Sequence, residues 1–211
     1  ESNDGYAFTH ADFVQIAIDP NDPSHLFVGS ILSGLYEIRD FQYTNITQGP
    51  PIPLGQNRPG IGGLAFDAQS NLWFSPSYAD IGLIQQGTDG TTLQNVNFPG
   101  FTSVNVPTSD VLVDDLGHVW LASIGRGIAV YQPETGLRQY LTGQFNAGDL
   151  PSLSIRTMAK DRNGEIWVGT EDGIRVFSPG QLFTGQPVNG QRIVITAEDG
   201  NNELLLAQTV I

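Results

Sequence analysis

SIRTMAKDRNGEIWVGTEDGIRVF, residues 154–177, contains three short strand-forming segments separated by two tight turns. Ile155–Lys160 is followed by the turn Asp161–Gly164, where glycine can take a positive φ and aspartate can hydrogen-bond its own backbone. The apolar run Ile166–Val168 comes next. After a second turn, Ile174–Phe177 alternates apolar with polar side chains, a pattern that indicates a half-buried strand.

The same pattern occurs three more times upstream, with an aspartate before a turn and an aromatic residue after it. The three tryptophans stand at positions 73, 120 and 167, so both steps are 47 residues, and each tryptophan follows an aspartate by six residues. The first copy has Asp19, and Phe27 replaces the tryptophan. A period of about 40 to 50 residues holding short strands is typical of a β-propeller blade. The residues that define the repeat are Asp67, Trp73, Asp114, Trp120, Asp161, Trp167 and Gly173.

We therefore expect one all-β domain, a β-propeller built of four blades of ~47 residues. Arg192–Ala197 is predicted as the fourth strand of the last blade, and Pro20–Pro23 is predicted as a loop because two prolines remove ladder donors. The expected boundaries are an N-terminal segment at 1–11, blades at 12–58, 59–106, 107–150 and 151–198, and the start of a further blade at 199–211.

The repeat register predicts an open arc. It would place the next aspartate near position 208, that is 161 plus 47, whereas Glu203–Ile211 is an apolar segment without a turn or tryptophan. We expect an incomplete part of a larger propeller of about seven blades. Closure of four blades through Tyr6–His10 is the alternative. An open arc predicts self-association through its exposed end blades, near Phe13–Ile18 and Ile193–Ile211.

The charge and composition exclude several classes of partner. The net charge is −13, from 22 acidic and 9 basic residues, which argues against nucleic acid and against docking on an anionic membrane by charge alone. No apolar run approaches the ~20 residues of a membrane helix. The sequence has no cysteine, so disulfides and thiolate chemistry are excluded.

No pattern in the sequence predicts catalytic, cofactor-binding or metal-binding residues. His10, His25 and His118 stand at no metal-ligand spacing, and we expect them on the surface. The sequence has no G-x-S-x-G motif, so it offers no nucleophilic serine of the kind that this motif presents in a hydrolase triad. The three tryptophans are expected to pack between blades, with an aromatic ligand box as the alternative.

The repeat motif resembles a known family. Asp-x-x-Gly-x-(Ile/Val/Leu)-Trp-(Val/Leu)-x-(Thr/Ser), followed by Gly-Ile-x-Val-(Phe/Tyr), is similar to the two-component-regulator propeller repeat of Bacteroidota. Asp161–Phe177 matches it throughout, with Thr170 at the Thr/Ser position, and Asp114–Tyr131 has Ser123 at that position. The second copy has Ser70 in place of the turn glycine, and the turn of the first copy is two residues longer.

Within that family, three segments resemble a cell-surface component of the type IX secretion system: Asp19–Val28 followed by Ser33–Glu37, then Gly148–Ser152, and Arg192–Ile211. The resemblance implies an exported, outer-membrane-associated, non-enzymatic module that recognises protein partners beside a sortase. We expect any site for anionic lipopolysaccharide or glycan to lie outside these repeats, unless basic residues form a local patch within them. The candidates for such a patch are Arg58, Arg126, Arg138, Arg156, Arg162 and Arg175.

Two other functions remain open at the level of sequence. One is a periplasmic ligand-sensing propeller of a hybrid two-component histidine kinase, which the same family contains. The other is a propeller lyase or glycosidase. The resemblance offers no catalytic residues to transfer to this chain.

Overall fold

The computed structural model describes residues 12–46, 60–196 and 202–204. Its first two sheets are antiparallel and four-stranded. Sheet 1 contains β1 (Phe13–Asp19), β2 (Asp22–Ser30), β3 (Gly34–Arg39) and β4 (Gln42–Asn45). Sheet 2 contains β5 (Ile61–Phe66), β6 (Leu72–Pro76), β7 (Ile81–Gln86) and β8 (Leu93–Asn97).

The second half of the chain continues the series. Sheet 3 contains β9 (Thr108–Val113), β10 (Val119–Ser123), β11 (Gly127–Gln132) and β12 (Leu137–Leu141). After the short β13 (Ala147–Gly148), sheet 4 contains β14 (Ile155–Lys160), β15 (Ile166–Thr170) and β16 (Gly173–Phe177). A 3₁₀ turn at Pro179–Gln181 precedes β17 (Val188–Asn189), β18 (Val194–Thr196) and β19 (Asn202–Leu204).

The sheets pack face to face in chain order, and their first strands lie side by side. β1 packs beside β5, β5 beside β9, and β9 beside β14. Antiparallel sheets of four strands in this series are the blades of a β-propeller, so the fold class predicted from the repeat is confirmed.

Each sheet has two different faces. We call the face that carries Phe27, Trp73, Trp120 or Trp167 the aromatic face, and the opposite one the aliphatic face. Strand register places Ala17 with Phe27, and Leu112 with Trp120. Because side chains alternate along a strand, every second residue shares a face.

The aromatic face of each of the first three sheets packs on the aliphatic face of the next sheet. Phe27 clusters with Leu64 and Phe74 of sheet 2, and the Trp73 ring lies 6.0 Å from that of Tyr131 in sheet 3. Trp120 lies 6.1 Å from Phe177 in sheet 4, ring centre to ring centre. Aromatic contacts of this kind bury large apolar areas and hold the blades in order.

The innermost strand of every sheet carries a register irregularity at the same point of the repeat. In sheets 1, 2 and 4 it lies between Phe13 and Gln15, between Ile61 and Gly63, and between Ile155 and Thr157. In sheet 3 it lies opposite Ala122 and Ser123. A bulge adds local twist, which suits strands that converge near a propeller axis.

Two local predictions were wrong. The strand β2 starts at Asp22 and leaves a two-residue turn, because Pro23 lies at the start of the strand, where a missing donor is tolerated. The predicted fourth strand of the last blade does not pair with β16. Instead β18 forms a hairpin with β19, and only the Val176–Gln191 bridge occupies the fourth position. Tyr6–His10 and the proline-rich segment 47–59 lie outside the described residues.

Candidate functional site

The repeat aspartate closes the hairpin that follows it. In sheet 3, Asp114 Oδ1 accepts hydrogen bonds of 2.9 Å from the backbone N–H groups of Leu116 and His118. Its Oδ2 accepts the indole N–H of Trp120 at 2.9 Å and lies 3.0 Å from His118 Nδ1. One carboxylate therefore caps the turn and orients the tryptophan, which explains the six-residue spacing.

The other copies repeat this arrangement. The Trp73 indole donates to Asp67 Oδ2 at 3.0 Å, and the Trp167 indole donates to Asp161 Oδ2 at 3.2 Å. This hydrogen bond from Trp167 lowers the pKa of Asp161, because it stabilises the carboxylate. Gly173 lies at the β15–β16 turn with a φ of 136°, a backbone conformation that favours glycine.

The prediction of surface histidines was wrong for His25 and His118, and His10 lies outside the described residues. Both described histidines are buried. His25 Nδ1 lies 3.1 Å from Asp19 Oδ2, and its Nε2 lies 3.0 Å from Glu37 Oε1. Each histidine stands two residues before the repeat aromatic, where its side chain faces the carboxylate that caps the turn.

The tryptophans are not equivalent in burial. Trp73 and Trp120 are fully buried under the following sheet, whereas Trp167 is only half-buried. Packing between blades therefore holds for the first two alone among the sheets that the structure describes. The small residues two positions further on, Ser75 and Ala122, are fully buried as well.

A hydrogen-bonded chain crosses the first strands of all four sheets. Gln15 of β1 accepts the N–H of Leu64 in β5 at 2.7 Å and donates to Asp110 Oδ1 of β9 at 2.9 Å. Asp110 Oδ2 accepts the N–H of Met158 in β14 at 2.7 Å. Gly63 leaves the space for this approach, since a Cβ there would lie 2.5 Å from the Asp110 carbonyl carbon.

Burial raises the pKa of Asp110, although the hydrogen bonds from Met158 and Gln15 oppose that shift. An unfolded aspartate titrates near about 3.9, so the folded chain keeps the proton to higher pH. The contribution of this group to stability is then fully present below the unfolded pKa and lost as the pH rises through the folded pKa.

We expect the stability of wild type relative to Asp110→Asn to fall as the pH rises above about 4, measured by urea unfolding. Asp89→Asn is the control. Hydrogen bonds from Thr92 lower the pKa of Asp89 to about 2, so its contribution is lost as pH falls and the trend has the opposite sign. A wild-type advantage over Asp110→Asn that grows with pH would contradict this assignment.

Among the described residues, a cleft opens between each pair of successive sheets, beside the turns that follow the repeat aspartates. The cleft between sheets 2 and 3 has a volume of about 610 Å³ and is lined by Trp73, Asp115, Glu134 and Lys160 among others. The cleft between sheets 1 and 2 has a volume of about 200 Å³, and the one between sheets 3 and 4 about 300 Å³. Within the described ranges, no group of three His, Cys, Asp or Glu side chains is placed to hold a metal ion.

The arginines do not gather into a basic patch in the described part of the chain. Arg138 donates to the Asn97 carbonyl and stacks over Phe98 and Tyr131. Arg126 donates to the Gly100 carbonyl. The ion pairs that hold most of the other cations are Arg39–Asp22, Arg156–Glu171, Lys160–Asp115, Arg175–Asp149 and Arg192–Asp149.

Comparison with known proteins supports the repeat and the fold. Residues 149–172 match the family described as two component regulator propeller, which confirms the resemblance in the last copy of the repeat. No curated protein sequence matches the chain.

Among the described residues, no helix is long and apolar enough to cross a membrane.

Three solved structures illustrate the range of similar proteins. The chain is similar to PorZ, an essential surface component of the type-IX secretion system of Porphyromonas gingivalis, with 20% identity and a TM-score of 0.72 over 92% of this chain and 29% of that one. It is similar to the extracellular domain of a putative hybrid two component system from B. thetaiotaomicron, with 15% identity and a TM-score of 0.63 over 91% and 25% of the two chains.

The third similar structure is virginiamycin B lyase from Staphylococcus aureus, with 10% identity and a TM-score of 0.61 over 95% of this chain and 71% of that one. At these identities the likeness shows the fold, a β-propeller. The chain spans less than a third of the length of the first two proteins.

Proposed function

We propose that the chain is a non-enzymatic recognition module of an exported, PorZ-like surface component of a type IX secretion system. The support is the structural similarity to PorZ, together with the loop segments that resemble the same group of proteins. Its partners are then proteins of the surface complex, such as the sortase that attaches cargo.

One observation carries the non-enzymatic part of the proposal. The ionisable side chains best placed for chemistry are already used by the fold. Asp114 accepts the Trp120 indole and caps its turn, while His25 and His118 are hydrogen-bonded to the carboxylates of their own hairpins. A general base must offer a free lone pair to a substrate proton, and these groups, although Asp114 and His25 line clefts between the sheets, have low exposure and are hydrogen-bonded within their own sheets.

The charge distribution favours a protein partner over an anionic glycan. The chain carries a net charge of −13, and its described arginines are tied to carbonyls or carboxylates, apart from the exposed Arg162. A polyanion meets no concentrated positive field there. The cleft between sheets 2 and 3, lined by Asp115 and Glu134, suits a partner that presents basic side chains.

Deletion of the gene in its own bacterium tests the proposal. We expect cargo proteins of the secretion system to lose their attachment to the cell surface, with attachment restored by the wild-type gene. Normal attachment in the deletion strain would overturn the assignment. Complementation with the Asp115→Ala variant tests the cleft, because this substitution alters the lining without removing a turn-capping carboxylate. The protein level should match that of wild type, and the extent of cargo attachment then shows whether the cleft contributes to attachment.

A second prediction concerns lipopolysaccharide. Calorimetric titration of the chain with anionic lipopolysaccharide should give no saturable binding at micromolar concentration. Saturable binding that weakens as salt increases would show that a basic site exists despite the net charge.

The sensing function is the second candidate, because residues 149–172 match the two component regulator propeller and the B. thetaiotaomicron extracellular domain has the same fold. It makes a different prediction for the deletion strain. A sensor would change the transcription of a set of genes in response to its ligand and leave cargo attachment intact.

A further inference from the structure

One buried amide in the cleft between sheets 1 and 2 has an unused acceptor. Gln86, the last residue of β7, is 7% exposed, and its Nε2 donates to the Gly90 carbonyl at 2.7 Å. Its Oε1 is buried and accepts no hydrogen bond from the described residues. Turning the amide over would place the oxygen against that carbonyl, so the hydrogen bond fixes the orientation. A buried acceptor without a partner costs free energy and therefore calls for an explanation.

The repeat shows that this glutamine stands where other sheets have an aromatic ring. Gln86 pairs with the residue that precedes the tryptophan of its sheet, and so do Tyr131 in sheet 3 and Phe177 in sheet 4. Those two rings pack on the tryptophan of the preceding sheet, at 6.0 and 6.1 Å between ring centres. In the cleft that contains Phe27, a polar amide takes the place of the ring. Departures of this kind from a repeated pattern are expected at functional sites.

The cleft between sheets 1 and 2 is small and holds an excess of negative charge. Its volume of about 200 Å³ suits one side chain better than a drug-sized molecule. Carboxylate oxygens of Asp19 and Glu37 lie 3.1 and 3.0 Å from the two ring nitrogens of His25. Arg39 pairs with Glu37 and with Asp22. Three carboxylates therefore surround two basic side chains, which favours a cation over an anion.

We propose that this cleft binds an alkylammonium group, which either a lysine side chain of a polypeptide or a small free amine can supply. An ammonium has three N–H donors and no acceptor, so it supplies the donor that Gln86 Oε1 lacks and pairs with Glu37. Phe66 lines the same cleft, and the face of an aromatic ring attracts a cation and packs against its alkyl chain. The inference concerns a cleft that the proposed function does not use, and it does not depend on that function.

Titration of the ¹⁵N-labelled chain with Nα-acetyl-lysine methylamide, followed by NMR, tests the site. We expect the side-chain amide signal of Gln86 to shift saturably, with a Kd of about 1 mM. Nα-acetyl-norleucine methylamide has the same four-carbon chain without the ammonium, so it should bind at least about 10-fold more weakly. This comparison uses the wild-type chain alone and therefore does not depend on the folding of a variant.

Two variants locate the binding. Gln86→Tyr introduces the residue that sheet 3 has at this position, so its ring should fill the cleft while the sheet still forms. Glu37→Gln removes a charge but keeps a side chain that can hydrogen-bond to His25. Each variant should weaken binding at least about 10-fold, followed through the backbone amide signals of Gly87 and Gly90. The amide signal of Gln86 is assigned by its absence from the spectrum of Gln86→Tyr.

Glu171→Gln is the matched control for the change of charge. Glu171 also pairs with an arginine, but it lies in sheet 4 and lines none of the three clefts. This variant should bind the lysine derivative as wild type does. If it lost as much affinity as Glu37→Gln, the attraction would be a general effect of charge, and the assignment of the site would be wrong.

The source of the ammonium group is identified by a second ligand, n-butylammonium. An affinity equal to that of the lysine derivative would show that a free amine is sufficient. Weaker binding of n-butylammonium would identify a lysine within a polypeptide, whose flanking amides add contacts. The proposal would be overturned if the Gln86 signal showed no saturable shift up to about 20 mM, or if the norleucine derivative bound as tightly as the lysine derivative.

Discussion

Asp114→Ala should lower the free energy of unfolding by about 3–5 kcal/mol. The substitution removes the acceptor of the Trp120 indole N–H, of His118 Nδ1 and of two backbone N–H groups in one hairpin. Asp114 is buried, so water cannot replace the carboxylate without reopening the turn. Each buried donor left without a partner costs about 1–3 kcal/mol. Guanidinium unfolding followed by tryptophan fluorescence measures the change.

The neighbouring residue provides the control for this prediction. The side chain of Asp115 is 62% exposed and pairs with Lys160, so Asp115→Ala should change stability by no more than about 1 kcal/mol. Asp114→Asn should fall between the two, because its amide offers one acceptor oxygen in place of two. Equal stability of Asp114→Ala and Asp115→Ala would show that the turn-capping carboxylate does not hold the hairpin.

Trp120→Ala should also cost about 3–5 kcal/mol, because the indole is fully buried between sheets 3 and 4 against Phe177. Trp167→Ala should cost clearly less, about 1–2 kcal/mol, since the half-buried ring of sheet 4 has lost less water on folding. The same denaturant unfolding measures both. Both variants remove the same side chain, so the difference between their losses of stability reflects the position of each sheet in the stack.

Trp73→Ala extends the comparison to a third copy of the repeat. Its indole is buried against Tyr131 of sheet 3, so its cost should resemble that of Trp120→Ala. Similar losses for all three tryptophans would mean that the face of sheet 4 is covered as completely as the internal ones. That result would contradict the lower burial of Trp167.

The repeat could be predicted from the sequence because its signals are local. An aspartate, a turn and a tryptophan six residues later are all set within one hairpin, so the spacing alone places the strands β9, β10 and β11. The Asp–Trp hydrogen bond gives this spacing a physical cause that the sequence pattern does not state.

The contacts that the sequence did not reveal depend on how the sheets meet. Gln15 and Asp110 stand at the same position of the repeat, four residues before the repeat aspartate, but they differ in type and lie two blades apart. The signal for this contact in the sequence was that both residues stand at the same position of the repeat. The burial of His25 and His118 was missed for a similar reason, since hydrogen bonding to the turn-capping carboxylate draws the rings inward.

Hydrogen exchange of the three indole N–H groups tests the central claim, that the blades stack in chain order and that Trp167 is less deeply buried than Trp73 and Trp120. The chain has three tryptophans, so ¹⁵N-labelled protein gives three indole signals, assigned by single Trp→Phe variants. At low micromolar concentration, the indole N–H groups of Trp73 and Trp120 should exchange slowly and that of Trp167 markedly faster. Equal protection of all three, or fast exchange at Trp120, would contradict the account.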